Sequence, residues 1–371
     1  MNYIPVNTPR IWGSEKLYLD ECLRTGWVSS EGPYVKEFEQ RFSEYIGRKH
    51  AISVSSGTAA LDISISLADL KEGDEVLVPS FTIISCISEL LRIGIKPVFL
   101  DSELDMWNVD TDQIEQKINK NTKAIIIPHI YHFPVNMDKI LALASSYKLF
   151  VIEDAAEMHG QDFRGKKCGS FGDVSIFSFY ANKHITTGEG GMILTDDDDL
   201  AEQCRSYRNL CFRPGERFIH DRIGWNYRFT NIQAALGLGQ LDNIDEIVSE
   251  KRRIGMEYYS NLEHLTSVQI LPPFNEHSEN IFWVFGLLLK PGQKLNSKEI
   301  RVRLNAEGIG TRPFFFPLHL QPIVKQLTNY EQPKLKNAEY LYENGFYVPS
   351  GLGLSQDDQE RVISVLHDIL D

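Results

Sequence analysis

One lysine lies between a strand-like run and a cluster of glycines. In "SFYANKHITTGEGGMILTDD" (178–197), Lys183 follows "DVSIFSF", which is rich in β-branched and aromatic residues. The glycines of "TTGEGG" disfavour a helix, and the short apolar run after them reads as a second strand. Lys183 is therefore predicted in a loop between two strands, where a reactive amine can be presented to a ligand, although many strand-end lysines are simply solvated.

An acid and an anion-binding turn accompany this lysine. In "LFVIEDAAEMHG", Asp154 ends a strand, at the edge of an α/β sheet where ligands bind. A buried carboxylate there needs a cationic partner such as a protonated heteroaromatic nitrogen, unless Asp154 only caps the next helix. "SSGTAAL" (55–61) changes from strand to helix, so its N–H groups can bind a phosphate or simply form a capped helix. Together the three features suggest pyridoxal phosphate (PLP), with a phosphate cradle, a pyridinium partner and a Schiff-base amine.

Three other possible motifs do not predict a binding site. "GQDFRGKK" (160–167) resembles a phosphate loop, but Lys167 stands where Ser or Thr should bind magnesium. His129 and His132 of "HIYH" point to opposite faces of a strand, so no metal site is predicted. No G-x-G-x-x-G follows an early strand, which weighs against a dinucleotide oxidoreductase.

Composition narrows the class of ligand. The chain has 371 residues, of which 42% are hydrophobic and 24% charged, and its net charge is −13 without any basic run. Neither nucleic acid nor a membrane is therefore an expected partner, and no apolar stretch is long enough to span a bilayer. The five cysteines form no C-x-x-C pair, so we expect reduced, mostly buried thiols and a cytoplasmic protein.

Apolar runs alternate with helix-like segments, which indicates an α/β fold with a mostly parallel sheet covered by helices. The runs are "AISVSS", "DEVLVPS", "KPVFLD", "AIIIPHI", "LFVIEDAA", "VSIFSF" and "GMILTD". A long helical stretch, 232–265, is predicted to lead from a large domain, 1–245, to a small α+β domain, 246–371. The small domain should contain a strand in "NIFWVFGLLL" (280–289), a helix from Lys298 and a capped terminal helix after Ser355.

The motifs resemble the DegT/DnrJ/EryC1/StrS family of PLP-dependent nucleotide-sugar aminotransferases nearly from end to end. The resemblance is carried by "GWVSSEGPYVKEFEQRF", "SSGTAAL", "IEDAAE", "NKHITTGEGGM", "GWNYRFTNIQAALGLGQL" and "GTRPFFFPLHLQP". It implies the aspartate aminotransferase type of fold, PLP fold type I.

The resemblance also implies roles for individual residues. Lys183 would carry the cofactor and then shuttle a proton, while Asp154 would pair with the pyridine nitrogen. The remaining cofactor contacts would be Gly57, Thr58 and Ser178 at the phosphate, Ala156 beneath the ring, Glu157 near the 3-hydroxyl, and Asn226 reaching the phosphate of the neighbouring subunit. A homodimer with shared active sites follows from the last of these.

Two positions depart from the family pattern. Ile83 stands where relatives usually place an aromatic ring over the cofactor, so that contact is lost or supplied by a residue such as Phe81. His132 stands where many relatives have glycine.

Within the family, the glycine-rich segment after Lys183 resembles the branch that aminates C4 of the sugar. The implied substrate is a GDP-linked 4-keto-6-deoxymannose, with L-glutamate as amino donor and a role in polysaccharide biosynthesis. Arg312 and His319 are candidate substrate contacts, since a cation and an imidazole suit pyrophosphate and sugar oxygens. The alternatives are a UDP- or dTDP-linked 4-keto-6-deoxyglucose, a sugar dehydratase, which would have histidine in place of the lysine, and a non-catalytic PLP-binding regulator.

Overall fold

A central seven-stranded sheet organises the first half of the chain. The computed structural model describes residues 2–328 and 333–370. Within these residues the strands are β1 (His50–Val54), β2 (Glu75–Pro79), β3 (Lys96–Leu100), β4 (Thr122–Pro128), β5 (Phe150–Asp154), β6 (Asp162–Phe163), β7 (Lys166–Lys167), β8 (Val174–Ser178), β9 (Gly191–Thr195), β10 (Phe212–Arg213), β11 (Glu216–His220), β12 (Val268–Gln269), β13 (Phe285–Leu289), β14 (Arg312–Pro313) and β15 (Gly345–Val348).

The order of strands in the central sheet is β1-β9-β8-β5-β4-β2-β3. The neighbours from β8 to β3 pair in parallel, whereas β9 is antiparallel to both β8 and β1. The predicted mostly parallel sheet is therefore confirmed. Because the parallel strands share one direction, the residues that follow them gather at one edge of the sheet.

Helices cover both faces of this sheet. The helices are α1 (Ser14–Thr25), α2 (Pro33–Ile46), α3 (Gly57–Leu67), α4 (Ser85–Arg92), α5 (Ile114–Lys117), α6 (Met137–Tyr147), α7 (Asp198–Arg208), α8 (Asn231–Leu241), α9 (Ile244–Leu262), α10 (Ser297–Ala306), α11 (Pro322–Thr328), α12 (Lys336–Asn344) and α13 (Gln356–Leu370), with a 3₁₀ helix at Leu318–Leu320. Alternate residues of a strand pack in different hydrophobic cores. In β2, Val76 and Val78 pack on one face of the sheet, and Leu77 packs on the other. This double burial explains why the strands read as continuous apolar runs.

The second half of the chain forms a smaller sheet of order β12-β13-β15-β14, and all of its neighbouring strands are antiparallel. Residues of α9, α10 and α13 pack with this sheet in a separate core. The strands of the central sheet lie within residues 50–195, and those of the smaller sheet lie within residues 268–348. We propose that the boundary between the two domains lies near residue 245. In the described part of the chain, no helix combines the length and apolarity that crossing a membrane requires.

Two predicted elements differ in the structure. The helical stretch 232–265 is divided into α8 and α9, because the side chain of Asn243 donates to the carbonyl of Gly239, 2.8 Å away, where the first helix ends. In the predicted strand 280–289 only β13 is a strand. Its first half lies against the loop after β4, where Trp283 N donates to Tyr131 O at 3.1 Å.

The other predictions for the small domain are confirmed. A helix begins at Ser297, one residue before the predicted start, and the terminal helix begins at Gln356. The hydroxyl of Ser355 accepts a hydrogen bond from Asp358 N, 3.2 Å away, and so caps the terminal helix. All five cysteines are unpaired and buried.

Candidate active site

A pocket opens at the carboxyl edge of the central sheet, where β4, β5 and β8 end and α3 begins. Eight of the residues predicted from the sequence line it: Gly57, Thr58, Ile83, Asp154, Ala156, Glu157, Ser178 and Lys183. Segments far apart in the chain therefore meet at one place, as the common direction of the parallel strands requires.

Lys183 is held in the connection between β8 and β9. These strands pair at their ends, Ser178 with Gly191. Inside the connection, Lys183 N donates to Tyr180 O at 2.9 Å and Thr187 N donates to Phe179 O at 2.9 Å. The loop is thus anchored by its own backbone bonds, and the amine of Lys183 has a defined position in the pocket.

The amine lies beside one carboxyl group and one aromatic ring. Lys183 Nζ is 3.9 Å from Glu157 Oε1 and 4.0 Å from the centroid of the Trp283 indole. Burial lowers the pKa of Lys183, whereas the nearby carboxylate of Glu157 acts to raise it. Burial also raises the pKa of Glu157 to about 8. The two shifts bring the pKa values of this pair closer together, so the protonation state of each group depends on that of the other.

Asp154 is a buried acid without a cationic partner. The last residue of β5, it is 5% exposed, and burial raises the pKa of its carboxyl group. Its Oδ1 accepts from Ala156 N at 3.0 Å, and its Oδ2 has the weak thiol donor of Cys86 at 3.5 Å. Among the residues that the structure describes, no lysine, arginine or histidine nitrogen lies within 4.0 Å of it. A protonated ring nitrogen would supply the missing positive charge.

The N-terminus of α3 provides an anion cradle. The side chain of Ser56 accepts from Ala59 N at 3.0 Å and so caps the helix. A Cβ on Gly57 would come within 2.8 Å of the Ser178 Cβ, so only glycine allows this close approach to β8. The hydroxyls of Thr58 and Ser85, 2.8 Å apart, add polar groups at the same wall. Free N–H groups, hydroxyls and the positive end of the helix dipole suit a phosphate.

The sequence did not reveal an aromatic wall on the other side of the pocket. Trp283, Phe315 and Tyr347 line the pocket together with Tyr180. Tyr131 stands behind them, stacked on Phe315 at 5.2 Å between ring centroids. Tyr347 lies in β15, Trp283 and Phe315 lie in connections beside the smaller sheet, and Tyr131 and Tyr180 lie in connections that follow β4 and β8. Because these positions are spread from residue 131 to residue 347, no local spacing could have connected them.

Three predicted residues lie outside the pocket lining. Asn226 is exposed and forms a β-bridge with Asn209. Arg312 is also exposed, and in β14 it is directly opposite the pocket residue Tyr347. His319 is completely buried, and its ring nitrogens already contact Ser80 Oγ at 2.7 Å and Glu339 Oε1 at 3.3 Å. His319 therefore lies outside the pocket lining with both ring nitrogens in contact with other protein groups, and its contact with a substrate stays a prediction.

The two departures from the family pattern also have defined places. Ile83 is 48% exposed and faces the pocket. Phe81 is not part of the pocket lining, since it is buried edge-on against Tyr131 at 5.9 Å between centroids. His132 is buried, contacts Asn280 Oδ1 at 3.3 Å, and its pKa is lowered by burial to about 3. It is thus a neutral part of the supporting layer.

One group of possible metal ligands occurs in the described part of the chain: His129, Glu153 and Cys168, all buried. His129 Nδ1 accepts from Val135 N at 3.1 Å, so its Nε2 carries the proton and donates to Glu153 Oε1 at 3.0 Å. The Glu153 carboxylate also accepts from two backbone N–H groups. Hydrogen bonds within the protein explain this cluster without a metal.

A mostly parallel sheet with an anion cradle, a buried acid and a buried amine at its carboxyl edge defines the class of PLP-dependent enzymes. Comparison with known proteins gives the family. Residues 9–367 match the DegT/DnrJ/EryC1/StrS aminotransferase family, and the chain belongs to it.

Individual relatives agree with this membership. A GDP-perosamine synthase of Escherichia coli O157:H7 is 40% identical over 372 residues, 100% of this chain and 98% of the relative. A GDP-perosamine synthase of Caulobacter vibrioides is 40% identical over 367 residues, 99% of this chain and 98% of the relative. The solved structure of Escherichia coli GDP-4-keto-6-deoxy-D-mannose-3-dehydratase with bound hydrated PLP matches with a TM-score of 0.91 at 25% identity, covering 99% of this chain and 100% of that one.

The family, the aminotransferase class, PLP fold type I and the PLP cofactor predicted from the sequence are confirmed. The residues present fit the cofactor, because the start of α3 offers N–H groups and hydroxyls to a phosphate, and no lysine, arginine or histidine nitrogen in the described ranges lies within 4.0 Å of Asp154.

Proposed function

We propose that this protein is a GDP-perosamine synthase, which transfers an amino group from L-glutamate to C4 of GDP-4-keto-6-deoxymannose. The observation that carries the proposal is the amine of Lys183, 3.9 Å from Glu157 Oε1 in the pocket that contains Asp154. The sugar is taken from the two GDP-perosamine synthases that are 40% identical to nearly the entire chain.

The pocket residues divide the work of amino transfer. When bound, PLP supplies an electron-withdrawing ring that makes loss of a proton from the adjacent carbon possible. Asp154 would keep a positive charge on the ring nitrogen, because burial makes its carboxylate costly to ionise and an adjacent positive charge offsets that cost. The Lys183 Nζ would take up the proton that leaves the Cα of the amino donor and pass it on to the cofactor carbon, and the Glu157 carboxylate, 3.9 Å away, would stabilise the ammonium form in between.

Different parts of the pocket would contact different parts of the cofactor and the substrate. Gly57, Thr58 and Ser178 would hold the phosphate at the N-terminus of α3, and Ala156 would contact one face of the ring. The aromatic wall would shield the amine of Lys183, whose side chain is 11% exposed, from most of the solvent. Arg312, opposite Tyr347, is our candidate for a contact with the pyrophosphate or the sugar.

A sugar dehydratase is the second candidate, because a dehydratase of the same fold is among the solved structures that match. Such an enzyme is expected to have histidine at the position of the reactive lysine. Here that position is Lys183, and the following His184 is buried away from the pocket lining. This arrangement favours amino transfer. A UDP- or dTDP-linked 4-keto-6-deoxyglucose remains the alternative substrate.

We further propose a homodimer in which Asn226 completes the site of the other subunit. Asn226 is exposed and does not line the pocket of its own chain. Large apolar side chains are exposed as well, including Leu17 on α1, Phe218 on β11 and Ile223 at 94% exposure near Asn226. We take these side chains as candidates for the subunit contact, since such contacts bury exposed apolar surface. Five unpaired cysteines favour a cytoplasmic location.

A substrate panel tests the proposal. Purified protein loaded with PLP is given L-glutamate and GDP-, UDP- or dTDP-linked 4-keto-6-deoxy sugars, and release of 2-oxoglutarate is measured. We expect the GDP-mannose derivative to have the highest kcat/KM and Lys183→Ala to abolish turnover while the protein still folds. A UDP- or dTDP-sugar that is about tenfold better, ~1.4 kcal/mol of transition-state preference, would contradict the assignment of the substrate. Turnover by Lys183→Ala within tenfold of wild type would contradict the role of the lysine.

A further inference from the structure

Lys251 is a buried lysine without an acidic partner. It lies in α9 and is 1% exposed. Within the described ranges 2–328 and 333–370, no carboxylate oxygen lies within 4.0 Å of its amine. Buried lysines are normally paired with an acid because desolvation of the charge is costly. Some other feature must therefore account for this one.

The amine of Lys251 joins two backbone segments. Its Nζ donates to Trp283 O at 3.1 Å and also to Ser350 O. Trp283 comes just before β13, and Ser350 follows β15, which pairs with β13. Ser350 Oγ also accepts from Phe285 N at 3.2 Å. Lys251 therefore holds together the ends of two strands that lead into the aromatic wall.

Trp283 extends from this anchor to the reactive loop. Its indole centroid is 4.0 Å from Lys183 Nζ, and its Nε1 donates to Asn182 O at 3.2 Å. Its backbone N donates to Tyr131 O at 3.1 Å. Trp283 thus binds Lys251 through its carbonyl and places its indole ring against the amine of Lys183.

We propose that Lys251 is a positioning residue for Lys183: its amine holds the main chain of Trp283 so that the indole lies over the reactive amine. This inference rests on the role of Lys183 proposed above. The face of an indole stabilises a nearby ammonium group. Loss of the Lys251 anchor lets the ring move away, so the pKa of Lys183 should fall further.

The surroundings of Lys251 offer no substitute for this anchor. Burial lowers the pKa of Lys251 itself to about 7, so its charge is lost as the pH rises above neutral, whereas its donor hydrogens remain. In its protonated form Lys251 contributes to the lowered pKa of two imidazoles, His132 and His184. Burial lowers the pKa of His132 to about 3 and that of His184 as well, so both rings are neutral near pH 7. Neither imidazole therefore provides the negative charge that would normally pair with a buried lysine.

The titration of Lys183 in the cofactor-free protein tests the proposal. Dilute acetic anhydride is applied between about pH 6 and 10, and acetylation of Lys183 is measured by peptide mass spectrometry, so neither PLP nor turnover is needed. We expect Lys251→Met and Trp283→Leu each to lower the pKa of Lys183 by about 0.5 unit or more. Lys251→Arg, which keeps charge and donors, should restore most of the wild-type value. Arg253→Met, which removes an exposed charge from the same helix, is the matched control and should have no effect.

The double variant decides whether the effect passes through the ring. If it does, Lys251→Met should add no further shift to Trp283→Leu, which has no aromatic face. A direct effect of the lost charge, which Lys251 carries below about pH 7, would instead raise the pKa of Lys183 and would persist without the indole, which would overturn the proposal. An unchanged titration in Trp283→Leu would overturn it too, even if no Lys251 variant folded. Because the readout is acetylation, failure here is distinguishable from failure of the substrate assay.

Discussion

At the scale of single residues, the pocket contains an acid and an amine whose environments push their pKa values together. Burial lowers the pKa of Lys183 and raises that of Glu157 to about 8. Each group also stabilises the charged form of the other across 3.9 Å. The protonation state of the reactive amine therefore depends on its neighbour as well as on burial.

Glu157→Gln should lower the pKa of Lys183 by about one unit, since it removes the negative charge that favours the ammonium form. The acetylation profile of Lys183 in the cofactor-free protein should shift to lower pH accordingly. Glu189→Gln is the matched control, because this carboxyl group lines the same pocket but is exposed. A Lys183 profile that stays in place in Glu157→Gln would mean that burial alone sets the pKa.

At the scale of elements, the phosphate cradle depends on how closely α3 approaches β8. Ser56 caps the helix, and Gly57 leaves room for the side chain of Ser178. Gly191 permits a second close approach, because a Cβ there would lie 2.4 Å from Ser56 O. Glycine is required at both positions by contact between elements rather than by its φ angle.

Gly57→Ala should separate α3 from β8 and weaken PLP binding by about tenfold or more, since overpacking typically costs 1–3 kcal/mol. Fluorescence titration of cofactor-free protein with PLP measures the change. In a Ser178→Gly background, where the opposing Cβ is absent, the same substitution should cost much less. Equal losses in the two backgrounds would show that the contact with Ser178 is not the cause.

At the scale of the whole molecule, two sheets contribute to one pocket. Trp283, Phe315 and Tyr347 line it from the second half of the chain, whereas Lys183 and Asp154 come from the first. Lys251 connects α9 with two ends of the smaller sheet. The proposed homodimer would add a third contribution through the exposed Asn226.

Mixed dimers of Lys183→Ala and Asn226→Ala subunits, isolated with two affinity tags, test the shared site. The Asn226→Ala homodimer should bind PLP about tenfold more weakly at both sites, since a charge-assisted hydrogen bond is worth ~1.5–3 kcal/mol. In the mixed dimer, the one site with a lysine would receive Asn226 from the other subunit and should bind PLP as tightly as wild type. If that site keeps the Asn226→Ala defect, or if the protein is an active monomer, the shared site is disproved.

The sequence by itself determined the family, the sheet and most of the predicted residues that line the pocket. Asp154 ends a strand, Gly57 begins a helix and Lys183 lies in a loop after a strand, and parallel strands bring such positions to one edge of the sheet. The alternating burial of β2 and β4 on two faces likewise follows from their apolar runs. These features depend on local pattern, which a sequence displays directly.

Only the tertiary structure decided which side chains surround the amine. The contacts of Trp283 with Lys183 and of Lys251 with Trp283 join residues 100 and 32 positions apart, and His319 proved buried although its residue type suits a substrate contact. The break between α8 and α9 depends on a hydrogen bond between Asn243 and Gly239 that apolar periodicity does not show. Such contacts arise when elements pack against each other, so their partners cannot be inferred from spacing along the chain.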